Sequence, residues 1–194
     1  MKHARLFIAV RPSDDALAEV RAAREALRER LGDEAVRWVR DENLHVTLEF
    51  LGATDPTRID DLVGAMRHAA SSTDGPIGLD LAAPGAFPDV RRPRTLWISV
   101  TDPNRELARL EAELRHGLTE QGYELDARPF RPHITIGYVR KRAGAAQRRG
   151  IGDAIREADV RRRAFRASAL LLVESVPGPG GSRYTDLRTV ALAR

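Results

Sequence analysis

His45-Val46-Thr47-Leu48 lies inside the run from Leu44 to Leu51 (LHVTLEFL), and its pattern returns as His133-Ile134-Thr135-Ile136 inside the run from His133 to Val139 (HITIGYV). Successive side chains on a strand alternate faces. His45 and Thr47 therefore share one face, and Val46 and Leu48 take the other; His133 and Thr135 stand against Ile134 and Ile136 in the same way. The apolar face packs on helices, so the His/Thr face opens on something polar. With five histidines and ten threonines in 194 residues, chance supplies about a quarter of one H-x-T pair. Two copies are suggestive, and their places in the chain strengthen them.

Outward from each motif the same order of elements reads twice. Leu6 to Val10 is a buried strand, and Ser13 caps a helix running to about Leu31. Val36 to Val39 is a short strand. After the first motif, which ends at Gly52, Asp55-Pro56 opens a helix with Ile59, Leu62, Val63 and Met66 on one face. Ile77 to Leu81 is a strand, followed by an expected loop from Pro84 to Pro93. The order then restarts: strand Leu96 to Val100, a helix opened by Asp102-Pro103 with Leu107, Leu110, Leu114 and Leu118, the second motif strand, a helix from Gly144 to about Glu157, and a strand from Ala169 to Val173. Pro177-Gly178-Pro179-Gly180-Gly181 reads as a turn between two C-terminal strands. The spacing from Leu6 to His45 is 39 residues and from Leu96 to His133 is 37. The economical architecture is α+β: two lobes of antiparallel sheet with outer helices, related by a pseudo-two-fold and facing a central cleft. One bilobal domain is expected over 1–194, with halves of about 1–90 and 91–194 whose termini are free to exchange between lobes.

Composition narrows the chemistry. There are no cysteines, which excludes disulfides, thiolate metal sites and a Cys nucleophile, and fits a reducing cytoplasm. MKHARLFIAV is too short in apolar run for a signal peptide, and no stretch approaches the ~18 apolar residues of a membrane span. The net charge is +4, but residues 140–166 hold ten Lys/Arg against three Asp/Glu, a local +7 on a body of −3. Such a segment either attracts phosphate backbones or is a solvated helix face. No apolar surface stripe is evident, and a monomer is expected.

Two imidazoles across a phosphodiester suit displacement at phosphorus. One takes a proton from water and the other gives one to the leaving oxygen; an unperturbed pKa of ~6.5 serves both tasks. Thr47 and Thr135 can donate to the phosphoryl oxygens where charge accumulates. The scheme calls for no metal and no cofactor, and the chain has no H-E-x-x-H.

On these residues the chain resembles the 2H phosphoesterase superfamily, and within it the RNA 2′,3′-cyclic phosphodiesterases, also called 2′-5′ RNA ligases. The likeness runs through Arg5 to Val10, Trp38 to Gly52, Pro93 to Trp97, Phe130 to Ile136, Leu172 to Ser175, and Arg183-Tyr184. It implies a bilobal α+β fold and metal-independent hydrolysis of a 2′,3′-cyclic phosphate RNA end to a 2′-phosphate, with weak reversible 2′-5′ ligation. It implies His45 as proton donor to the leaving O3′, His133 as the group that activates water, and Thr47 and Thr135 as phosphate contacts. Relatives often carry a phosphate-contacting arginine five residues after the second histidine; here that place is Tyr138. Strand phase is expected to bring Arg140, seven residues on, and Arg131, two residues before, toward His133's face as substitutes, with Tyr138 a weaker donor. Among Phe50, Phe87, Trp97 and Phe130, the expected base-stacking residue is Phe130; Phe50 and Trp97 are expected in the core. The partner is an RNA end or a nucleotide 2′,3′-cyclic phosphate. The alternatives are another small nucleotide in the same cleft, such as ADP-ribose cyclic phosphate or a 2′-5′ oligoadenylate, and a non-catalytic module that binds nucleotide or RNA ends.

Overall fold

The computed structural model describes residues 3–179 and 181–192; Gly180, in the expected glycine-rich turn, lies outside them. In chain order the elements are β1 (Ala4–Val10), α1 (Asp14–Leu31), β2 (Val36–Trp38), β3 (Val46–Thr54), α2 (Ile59–Ser71), β4 (Ile77–Phe87), β5 (Thr95–Thr101), α3 (Glu106–Glu120), β6 (His133–Val139), α4 (Ala145–Glu157), β7 (Ala164–Ala167), β8 (Ala169–Val176) and β9 (Arg183–Ala191). Helix starts follow local chemistry. The Ser13 side chain accepts from the Ala16 amide, and Asp14 and Asp15 fill the first turn of α1. The Asp102 carboxylate accepts from the amides of Glu106 and Ala108 at 3.0 and 2.9 Å, so α3 begins three residues after the proline expected to open it.

The strands form one curled antiparallel sheet, ordered β7-β4-β5-β6-β3-β1-β8-β9, with β2 also paired to β6. The order is symmetric about the junction of β6 and β3. There the link is a single pair, Val46 with Ile134. β4, at the end of the first repeat, lies beside β5, which starts the second; β8 lies beside β1 in the same way. Helices α2 and α3 pack together behind the β3 half, and α1 and α4 behind the β6 half. The apolar strand face and these helices make the main core, where Ile8, Val46, Leu62, Leu107, Leu110, Ile134 and Leu172 are fully buried. Each such side chain contributes roughly 1.5–3 kcal/mol by leaving water. On the opposite sheet face a smaller group, Phe7, Ala9, Leu171 and Val173, is covered by Tyr184.

Two stretches depart from the sequence reading. β4 runs through Pro84 to Phe87, where a loop was expected. A register shift between Leu81 and Pro84 absorbs the missing N–H, and pairing with β5 resumes from Pro84 to Phe87. β7, a four-residue edge strand, was not anticipated. It lies in the basic segment, whose other element, α4, packs on α1 and β4 on the helix side of the sheet. Several of that segment's arginines are engaged there: Arg156 with Asp153, Arg161 with Glu19, Arg163 with Asp15, and Arg148 on backbone carbonyls. The segment is thus largely a solvated outer surface.

Candidate active site

The Val46–Ile134 pair fixes the site. In an antiparallel register the residues on either side of it lie opposite one another, so His45 falls beside Thr135 and Thr47 beside His133. Both paired residues point into the core, so the two histidines and two threonines share the other, open face. All four are partly exposed.

Each imidazole is held alike. His45 Nδ1 lies 2.8 Å from the Asn43 carbonyl, and His133 Nδ1 lies 2.6 Å from the Arg131 carbonyl, in both cases two residues back. A carbonyl only accepts, so each Nδ1 carries the proton and each neutral ring presents Nε2 as a lone pair. His45 Nε2 lies 2.9 Å from Thr47 Oγ1, whose hydroxyl donates to it. Burial pulls His45 well down, to about 4, aided by the charges of Arg11 and His133; the Asn43 carbonyl and Asp186 oppose the shift. Burial also lowers His133, against the pull of the Arg131 carbonyl.

Aromatic rings wall both histidines. Phe7 stacks on His45 with centroids 4.8 Å apart, and Tyr184 meets it edge-on at 5.4 Å. Phe87 meets His133 edge-on at 5.0 Å, and Trp97 lies 6.1 Å away. Trp97 in turn lies on Gly85: a Cβ at that glycine would fall 2.2 Å from the ring. Trp97 therefore belongs to the cleft and not to the core. Phe87 reaches His133 because β4 continues past Pro84.

Both motif strands carry a bulge at the same place. Ala9 pairs with Thr47 but Ile8 with Glu49, which leaves Leu48 unpaired; Trp97 pairs with Thr135 but Leu96 with Gly137, which leaves Ile136 unpaired. The extra residue reverses the alternation. Phe50, opposite Phe7, emerges on the open face and is 64% exposed, where a core position was expected. Tyr138 turns onto the same face as Thr135. Glu49 turns the other way, into the core beneath α3.

The expected substitutes for the missing arginine fare differently. Arg140 does not join His133 by strand phase. Seven is an odd offset, which a regular strand sends to the opposite face. The bulge restores the phase, but β6 ends at Val139 and the Arg140 Nε donates to the Asp33 carbonyl. Arg131 is exposed, and its backbone carbonyl is the part that meets His133. Phe130 packs partly buried against the main core, while Phe87 and Trp97 take the place expected for it beside His133. Arg37 on β2 was missed: it lies opposite Tyr138, its guanidinium carbon 4.7 Å from the centre of that ring. Nothing in a three-residue strand announces such a neighbour.

A concavity of about 620 Å³ between α1 and β2, with Arg37 in its lining, holds neither motif histidine. Its rim is mostly paired charge, Arg24 and Arg28 against Glu25, Asp33 and Asp41. Among the described residues no cluster of three or more His, Asp or Glu is placed to hold a metal ion, and no helix is long and apolar enough to cross a membrane.

This geometry agrees with known proteins. A family model described as the 2′-5′ RNA ligase superfamily matches residues 8–175. The RNA 2′,3′-cyclic phosphodiesterase of Archaeoglobus fulgidus is 32% identical over 187 residues, covering 95% of this chain and 98% of its own. That of Aeropyrum pernix is 30% identical over 160 residues, covering 81% and 87%. Among solved structures, TT0787 of Thermus thermophilus superposes with a TM-score of 0.76 at 25% identity, covering 97% of each chain. Escherichia coli LigT complexed with 3′-AMP superposes with a TM-score of 0.74 at 25% identity, covering 99% of each. With its duplicated H-x-T strands meeting at one sheet junction, the chain belongs to the 2′-5′ RNA ligase superfamily of 2H phosphoesterases.

Proposed function

We propose that this chain is an RNA 2′,3′-cyclic phosphodiesterase that opens the cyclic phosphate to a 2′-phosphate by two-histidine acid/base catalysis. The carrying observation is the matched pair of imidazoles, each with Nδ1–H on the carbonyl two residues back and each with Nε2 on the cleft side. His133 Nε2 takes a proton from water as its oxygen bonds to phosphorus. The P–O3′ bond breaks, and O3′ takes the proton held on Nε2 of a charged His45. The product is a 2′-phosphomonoester with a free 3′-hydroxyl. His45 is the acid in this reading by the likeness to the family; burial holds its imidazole at about 4 in the free protein, so the bound phosphate anion must raise it, while the Asn43 carbonyl keeps Nδ1 protonated throughout. Thr47 and Thr135 turn their hydroxyls toward the phosphoryl oxygens, where charge grows in the transition state. The relatives' names and the family support the substrate class.

The test offers one preparation three substrates: an RNA oligonucleotide ending in a 2′,3′-cyclic phosphate, ADP-ribose cyclic phosphate, and a 2′-5′ oligoadenylate. The largest kcat/KM is expected on the RNA end. A kcat/KM at least tenfold higher on either of the others would move the assignment to that nucleotide. Tight binding of all three with no turnover would make the chain a binding module.

A further inference from the structure

A phosphoryl group held in the cleft would gain from a cation, and Arg37 stands out among the arginines nearby as half-buried with neither a carboxylate nor a carbonyl partner among the described residues. Arg11 is taken by Asp186 at 3.1 Å. Arg40 is taken by Glu42 at 3.2 Å and donates to the Ser182 carbonyl. Arg140 is spent on the Asp33 carbonyl. Arg5 and Arg131 stand exposed at the surface. Arg37 is half-buried, and among the described residues no carboxylate comes within 4 Å of it.

Its surroundings hold it at the site. Tyr138 lies across the strand pair, with the Arg37 guanidinium over its ring, and shares the open face with Thr135 of the second motif. The Arg37 charge also acts on Tyr184, whose ring meets His45 of the first motif. Gly181, at φ +112°, passes so close that a Cβ there would fall 2.6 Å from Arg37 Nη1. The guanidinium is thus bracketed between the two lobes. Stacking on an aromatic face fixes its plane while leaving the edge donors free.

We propose that Arg37, reaching across from β2 and stacked on Tyr138, binds the non-bridging oxygens of the phosphoryl group held between the two histidine–threonine pairs. A half-buried guanidinium without an acid is poorly satisfied, and a bidentate contact to an anion relieves that. As the substrate monoanion passes to a dianionic transition state, the contact strengthens. The inference rests on the phosphodiesterase reading, since it takes the reacting phosphate as the ligand.

The experiment compares wild type, Arg37→Met and Arg37→Lys in two ways. One is kcat/KM on 2′,3′-cyclic AMP; the other is calorimetric binding of 2′-AMP and of adenosine, which lacks phosphate. Arg37→Met should lose about 10- to 100-fold in kcat/KM, the range of one charge-assisted contact, and a similar factor in 2′-AMP affinity. Adenosine affinity should hold within twofold. Arg37→Lys should keep part of both, because it keeps the charge and loses the fork. The binding arm needs no turnover. If wild type fails to hydrolyse the cyclic nucleotide yet Arg37→Met still loses 2′-AMP affinity alone, the phosphate contact stands and the phosphodiesterase reading falls. If wild type is active and Arg37→Met keeps both quantities within twofold, the inference is overturned and the reading survives. Equal loss of adenosine and 2′-AMP affinity would make Arg37 structural and overturn it too. If Arg37→Met does not fold, Arg37→Gln is read by the same criteria.

Discussion

Glu49 sits two residues past Thr47, yet the bulge at Leu48 turns it into the core, where it is 2% exposed. Arg115 Nη2 lies 2.6 Å from its Oε1, and Arg115 Nε lies 2.9 Å from Oε1 of Glu111, itself 7% exposed. Two buried carboxylates share one guanidinium, so the cluster also holds a proton. Burial first, then the hydrogen bond with Glu111, pushes the Glu49 carboxyl up to about 8, against the opposing pull of Arg115. The folded protein therefore binds a proton that the unfolded chain releases near 4.5. A group raised on folding contributes stability that is complete below the unfolded value and is lost as pH climbs through the folded one. His45 acts in the opposite sense. It is lowered from 6.5 to about 4, so its contribution grows with pH only up to about 6.5. Between about pH 6.5 and pH 8 the Glu49 effect acts largely alone. At 1.36 kcal/mol per pH unit for one proton, unfolding free energy should fall by roughly 2 kcal/mol over that interval. Urea denaturation at several pH values across it gives the slope directly. Glu49→Gln, which keeps the shape and cannot ionise, should flatten it. Wild-type stability that holds level or rises over this range, or a Glu49→Gln variant that declines in parallel, would refute the shared proton.

Gly85→Ala would drive a methyl into the Trp97 ring, which faces the same cleft as His133. Turnover of the cyclic nucleotide should drop at least tenfold, at a stability cost of about 1–3 kcal/mol seen in the same denaturation assay. Because both imidazoles are lowered below 6.5 in the free protein, kcat/KM for the mononucleotide should peak below pH 6.5 and fall on the alkaline side as the histidine pair loses its one proton. The descending limb of kcat should lie at higher pH, since a bound phosphate anion favours charged His45, and a kcat/KM maximum above pH 7 would contradict this. Leu110→Ala, on the buried face of α3, should cost about 2–5 kcal/mol in denaturant while leaving kcat of the folded fraction unchanged.

Much of this architecture was legible because its signals are local. Val46, Leu48, Ile134 and Ile136 alternate with the histidines and threonines, and Ser13, Asp55 and Asp102 mark helix starts within a few residues of the helices they cap. The bulges at Leu48 and Ile136 were not legible. A bulge inserts one residue without any composition of its own, and it is written in the partner strand's register. For that reason Phe50 and Glu49 exchanged their expected faces, and Tyr138 arrived in the cleft. The rings around the histidines were hidden for a related reason. Tyr184 reaches His45 from β9, and Phe87 reaches His133 from β4, each across a long stretch of sequence. Pro84 concealed the second contact, because a proline in a strand reads as a loop until a register shift is seen to accommodate it. Arg37 gave no signal beyond its charge.

The most direct test of the two-histidine account follows 2′,3′-cyclic AMP by phosphorus NMR with wild type, His45→Ala and His133→Ala, in EDTA. The account predicts conversion to 2′-AMP by wild type at a rate untouched by the chelator, and loss of at least a thousandfold in each variant. Formation of 3′-AMP would contradict the assigned direction of proton transfer. Loss of wild-type activity in EDTA, or near-wild-type turnover by either alanine variant, would contradict the mechanism itself.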